Sequence, residues 1–404
     1  MPLALARLPL PQAVAVALFS LWPLVNLLAR QSAPVVALVA ALVLLWAVLA
    51  GQGAGVLKPA IGGLLRAPEV WLLLLLLALI WLGTRTSPVP KRAVLAAGQM
   101  SFALGVGLAL VLGARALSSP AAARAAIAAA LIGTPALVVM IRFWDPLHAL
   151  FGIRDMITHT NRTGLLLAML LPVTVFWACR RRGSAAAALL GAAMTGAVFY
   201  SYSESAKLAV LVVVCAALLH RLAGARAVWL AGSLAALVVL AAPLIGLHIF
   251  DLIPGWLFRH TSQSTFGIRG EIWREFSALA LQKPWFGWGV EASFAPLQGL
   301  DRAAFSEAQR RVLEIGHTHN APLQIWYEMG LAGALVSAAL VLAATARIAR
   351  MADGGARAVA FALAVAAFAV STVSHGAWQV WWYCLAALVA VLAPGLRGAA
   401  DDAG

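Results

Sequence analysis

Residues 33–55, APVVALVAALVLLWAVLAGQGAG, hold no charged side chain, and their first nineteen residues are apolar or small apart from one proline. A hydrocarbon core of roughly 30 Å is crossed by about 20 residues at 1.5 Å each, so this stretch fits a transmembrane helix and is too long for a buried strand. Comparable runs recur along the chain, near 11–29, 68–84, 93–113, 121–141, 163–179, 184–202, 205–221, 227–248, 320–345, 357–375 and 377–396. With 63% hydrophobic and 11% charged residues over 404 positions, the composition excludes an ordinary soluble domain. The expected fold is an all-α polytopic bundle of about twelve spans with a long outward loop containing amphipathic helices. Three regions follow: an N-terminal bundle of about nine spans over 1–248, a catalytic loop over 249–319, and about three spans over 320–404.

The formal charge of +14 raises the question of nucleic acid, but no continuous basic face accompanies it, and none is expected as a partner. Topology accounts for the charge better. With the N-terminus inside, the inner segments carry fourteen of the 29 cations and the short outer loops eight; the other seven lie in 249–319, a loop too long to count in orientation. Both termini are therefore expected in the cytoplasm and the long loop outside, which in a bacterium is the periplasm. The first span is expected to remain in the mature protein, since Pro23, Asn26 and Arg30 follow its apolar stretch instead of a small-residue cleavage site. Cys179, Cys215 and Cys384 fall in or at the edge of spans with no disulfide or zinc spacing.

Carboxylates are scarce, and seven of the fifteen lie in 249–319 beside seven basic residues, the balance of a foldable, soluble-like cap. Within it, 268–282 places Ile272, Phe276 and Leu279 on one helical face, and Pro284 ends that helix. The Trp- and Gly-rich stretch 284–294 fits a flexed connection at headgroup depth, and a second helix is expected from Asp301 to about Leu313. The two helices would form a lid over a cavity between spans. Polar patches at 142–164, 201–207 and 371–383 belong to the same outer side, and ionisable groups at membrane depth usually line a cavity or bind substrate.

The loop closes with GHTHNAPLQIWYEMGLAGAL (316–335), and GIRGEIWREFSALALQKPWFGWG (267–289) precedes it. The pattern His-x-His-Asn-x-x-Leu-Gln-x-x-x-Glu-x-Gly-x-x-Gly at a loop-to-span junction, with Arg, a Trp-bearing helix and Pro-x-x-Gly-x-Gly before it, resembles the O-antigen ligase and polymerase family. The resemblance implies a metal-independent, cofactor-free glycosyltransferase of the bacterial inner membrane. It would move a glycan from undecaprenyl diphosphate to lipid A-core, or to another glycan acceptor, on the periplasmic face. It implies His319 as general base, a role a neutral imidazole fills near pH 7. Arg269 and then Lys207, in SYSESAK, are the expected cations for the diphosphate, the lysine standing where an arginine is commoner.

Each assignment has a plainer rival. His317 is either a participant or a hydrogen-bonding partner of His319; Asn320 is expected to cap the tenth span, Glu328 to make a structural hydrogen bond, and His375 to pack between helices. Arg274, Arg302, Arg310 and Arg311 fit solvated faces or local pairs to nearby Glu, and Arg154, His159, Asn161 and Arg162 an anchor for the 142–164 loop. His317-x-His319 lacks a third ligand, so no metal and no sensitivity to EDTA are expected. A polymerase and a protein O-oligosaccharyltransferase share the motif and stay open. A transporter, with midplane sites in paired repeats, fits poorly, because the polar residues gather at one surface and no repeat appears. One chain supplies every proposed group, so a monomer would suffice.

Overall fold

The computed structural model describes residues 8–153, 155–249, 251, 265–294, 306, 307, 310, 314 and 316–395, with the side chains of 265–268 left aside. Arg154, Arg259, Arg302, Arg311 and the helix expected over 301–313 lie outside the described residues as elements or side chains. What is described is all-helical, with no strand among the described residues. In chain order the helices are α1 (Leu10–Leu28), α2 (Ser32–Gln52), α3 (Leu57–Leu65), α4 (Pro68–Gly83), α5 (Pro90–Gly113), α6 (Ser119–Arg142), α7 (Trp144–Phe151) and α8 (Met156–Arg182). They continue as α9 (Ser184–Tyr200), α10 (Glu204–Ala223), α11 (Ala225–Leu240), α12 (Ala242–His248), α13 (Thr265–Gln282), α14 (Ala321–Ala349), α15 (Gly354–Val373) and α16 (Val380–Leu392).

Among the described residues, eight helices are long and apolar enough to cross a membrane, and up to ten if two bent pairs each count as one span; α9 and α16 are shorter apolar helices. Every one of the twelve apolar runs in the sequence falls on one of these helices or bent pairs. Two departures from straight spans have local causes. The run 227–248 breaks at Ala241, where α12 turns 77° away from α11. Pro243 has no N–H to offer the Val239 carbonyl four residues back, so the helix cannot continue. The indole of Trp326 on α14 donates to that freed carbonyl at 2.8 Å. The second bend, 71°, separates residues 54–65 from α4.

The helix α8 begins at Met156, earlier than the apolar run that starts at 163. Its 27 residues reach about 40 Å at 1.5 Å each, longer than a hydrocarbon core of roughly 30 Å. Polar Thr158, Asn161 and Arg162 thus occupy one end and Arg180, Arg181 and Arg182 the other. At the arginine end, Arg180 pairs with Asp353 at 2.9 Å. The opposite end of the bundle gathers the starts of α2, α8, α14 and α16 and the close of α15, and the site lies there.

The amphipathic helix α13 buries its expected face: Ile272, Phe276 and Leu279 sit in a cluster with Leu323, Trp326 and Tyr327 of α14. Close approach to α12 is made possible by Gly246, where a Cβ would stand 2.2 Å from Ser277 Oγ. After α13, residues 284–294 fold back against α14 at a break in that helix. Gly330 leaves helical geometry with φ 61° and ψ −156°, a conformation only glycine adopts readily. The break releases backbone groups that the returning segment satisfies. Trp288 N donates to Tyr327 O at 2.9 Å and Gly289 N to Glu328 O at 3.0 Å, while Leu331 N and Ala332 N donate to Pro284 O and Trp285 O at 2.7 and 3.2 Å. Gly287 allows the contact, since a Cβ there would meet the Glu328 carbonyl carbon at 2.4 Å.

Candidate active site

A buried carboxylate clips this end together. Glu328 is fully buried on α14 and accepts from Glu291 N (2.6 Å), Ser293 Oγ (2.7 Å), Gln324 Nε2 (2.9 Å) and Trp378 Nε1 (2.5 Å). Three separate segments, 291–293, α14 and the α15–α16 connection, meet on it, and the structural hydrogen bond expected of Glu328 is fourfold. Gln324 extends the clip by accepting from Ala377 N at 2.8 Å.

The motif 316–320 crosses above. Asn320 caps α14, its Oδ1 accepting from Leu323 N at 3.0 Å. Trp273 of α13 donates its indole N–H to Thr318 O at 2.9 Å, which ties the amphipathic helix to the motif. His319 has a positive φ of 51°, uncommon for a residue with a side chain. That turn lets His319 N donate to His317 Nδ1 at 3.0 Å and brings the two rings to 3.7 Å between centroids. His317 Nδ1 must therefore carry a lone pair, and burial, with His319 and Arg269 nearby, pushes the His317 pKa down to about 4. His319 Nδ1 faces Ser374 O at 3.4 Å; with the proton on Nδ1, the Nε2 lone pair is free. Burial first, then the positive charge of Arg269, lower the His319 pKa, against a smaller raising effect of the Ser374 carbonyl.

His317 and His319 line a cavity of about 600 Å³ with Arg269, Arg162, Asn161, Thr158, Ser374, His375 and Trp381. No carboxylate is among its described lining residues. Burial lowers the Arg269 pKa, and the guanidinium makes no ion pair among the described residues. The structure thus brings His319, His317 and Arg269 together. Lys207 does not line the cavity: its ammonium pairs with Glu204 on the same turn of α10 at 2.8 Å. The serine stretch before it docks instead of binding, with Ser203 donating to Asn161 and Ser205 in contact with Ser374 at 2.6 Å between hydroxyls.

Arg162 is the cation that sequence reasoning assigned elsewhere. It anchors, since its guanidinium donates to Arg30 O, and it also lines the cavity, lying 4.3 Å over the Trp381 ring. His159 and Asn161 do anchor, His159 through Nδ1 to Leu27 O at 2.8 Å. His375 lies between Trp381 and Trp382, each at 5.0 Å, and burial drives its pKa to about 3. Among the described residues no group of three His, Cys, Asp or Glu could hold a metal ion.

A smaller cavity of about 310 Å³ adjoins the first, with Gln99, His317, Trp378 and Gln379 lining both. Its own lining includes Arg92, Glu291 and Phe294; Arg92 Nε pairs with Glu291 Oε2 at 3.2 Å and its guanidinium lies 4.2 Å over the Phe294 ring. Burial raises the Glu291 pKa, opposed by Arg92.

Residues 189–338 match the family model described as O-antigen ligase. Over 150 of its 404 residues the chain is similar to that family. The matched stretch contains Arg269, His317, His319 and Glu328, whereas Arg162 and the 374–381 wall of the cavity lie outside it. A protein of Rickettsia conorii, provisionally named a polysaccharide ligase, is 25% identical over 122 residues, 30% of this chain and 29% of its own length. The match thus covers under a third of that relative. No solved structure matches the chain. The apolar helices give the chain the fold of a multi-pass membrane protein, and both matches are to proteins described as ligases.

Proposed function

We propose that the protein is an O-antigen ligase-type glycosyltransferase. It takes a glycan from undecaprenyl diphosphate and joins it to lipid A-core at the periplasmic face of the inner membrane. In this account residues 249–319 form the outward catalytic loop between two membrane regions, 1–248 and 320–404. The observation that carries the reading is one cavity in which an imidazole with an available lone pair stands among arginines and no described carboxylate.

The chemistry is a single inverting displacement. His319 Nε2 takes the proton of the acceptor hydroxyl as its oxygen attacks the anomeric carbon. The bond from that carbon to the diphosphate oxygen breaks, and the electron pair leaves on the diphosphate. Arg269 and Arg162 stabilise the departing charge, a role planar guanidinium forks perform without a metal ion. Lowered imidazole basicity keeps His319 neutral and ready at neutral pH. His317, holding the His319 amide, fixes the strained turn that presents the base.

The test is a deletion strain complemented with His319→Asn. Asparagine tolerates the left-handed backbone that His319 adopts, so the turn is kept while the base is removed. The expected outcome is loss of capped lipopolysaccharide, with long lipid-linked chains accumulating. Accumulation of single repeat units would identify a polymerase instead. Normal glycan, with the variant present in the membrane, would refute the role of His319.

A further inference from the structure

The two adjoining cavities differ in charge in a way that sorts their occupants. The larger carries Arg162 and Arg269 with no described carboxylate among its lining residues and suits an anion. In the smaller, Arg92 is neutralised by Glu291, and the remaining wall offers a ring face from Phe294 and planar amides from Gln99 and Gln379. A neutral polyhydroxyl ring is what such a wall recognises: hydroxyls hydrogen-bond to carboxylate, guanidinium and amide, and the C–H face of a sugar lies on an aromatic ring. At about 310 Å³ the space is at the small end of ligand pockets, which run from roughly 300 to 1,000 Å³.

We infer that the smaller cavity is the acceptor subsite, where Phe294 and the Arg92–Glu291 pair hold a neutral sugar of the acceptor so that its hydroxyl faces the histidine wall. The inference rests on the function proposed above. It accounts for the position of His317, which lines both compartments beside His319 and is in ring contact with Phe294 at 5.6 Å. It also gives the returning segment 284–294 a second purpose, since the Glu328 clip holds Glu291 and Ser293 in place behind the subsite.

The test uses the full-length protein in lipid vesicles. Donor and acceptor are the lipid-linked glycan and the uncapped lipopolysaccharide purified from a strain lacking this gene. Two variants change residues that line the smaller cavity and not the larger: Phe294→Leu, which keeps apolar bulk and loses the ring face, and Leu95→Trp, an exposed position on α5 that narrows the space without entering the core. Phe294→Leu is expected to raise the KM for acceptor about tenfold, the loss of one ring contact, and Leu95→Trp to raise it by crowding the sugar, while the KM for donor stays at the wild-type value in both. Unchanged acceptor KM in both variants, or a rise in donor KM instead, overturns the subsite. Absence of any transfer by the wild-type protein overturns the parent reading and the subsite with it.

Discussion

Substituting Glu328 tests the clip on which the site geometry depends. Its two carboxylate oxygens accept four hydrogen bonds, Ser293 and Gln324 on one oxygen and Glu291 N and Trp378 on the other. In Glu328→Gln one oxygen becomes an NH₂ that confronts two donors. The Ser293 hydroxyl can rotate to accept, but Gln324 cannot turn its amide without losing the bond from Ala377 N. One or two buried donors are therefore orphaned, at about 1–3 kcal/mol each, so roughly 2–4 kcal/mol is expected for Gln and more for Leu, which orphans all four. Domains of 150–250 residues lose about 2–4 °C per kcal/mol, so the midpoint of thermal unfolding in detergent should fall by roughly 4–16 °C in Glu328→Gln. Exposed Glu271→Gln serves as the control and should melt with wild type. Equal melting of Glu328→Gln and wild type, with glycan transfer intact, would refute the clip.

Three further outcomes are expected. Arg269→Gln should lower turnover by about 10²–10³-fold through loss of charge stabilisation. Because the Arg269 cation disfavours the protonated imidazole, its removal should also raise the His319 pKa, so the acid limb of kcat/KM moves to higher pH; a limb that stays put would separate the two groups. Arg162→Gln should cost a comparable factor in transfer, and Lys207→Gln, outside the cavity and paired with Glu204, should cost little; the reverse order would return the diphosphate to Lys207. Transfer by the purified protein should survive EDTA, and its abolition by chelator with rescue by one added metal would contradict the arginine-only account.

The membrane architecture was legible because hydropathy is a local signal: each apolar run became a helix or a bent pair. The burial of Ile272, Phe276 and Leu279 was legible for the same reason, as was the Asn320 cap. Pro243 was visible, yet the apolar run continues past it to Ile249, and hydropathy alone carries no angle, so the 77° bend was missed. The cations of the cavity were harder. Lys207 and Arg162 both stand in polar stretches at span starts, and only the packing of α8 and α10 decides that one faces the cavity and the other its own Glu204. His375, expected as a packing histidine, does pack between two tryptophans, but the same segment also forms a cavity wall. The fourfold use of Glu328 was beyond reach, because its partners lie up to 50 residues away in sequence.

The central claim is a diphosphate held by arginines beside one imidazole, and a map of the protein bound to undecaprenyl diphosphate tests it most directly. The account predicts density for the two phosphates between Arg162 and Arg269, with the His319 ring facing the bond to be broken. Phosphates bound against Lys207, or outside the histidine-lined cavity altogether, would contradict it.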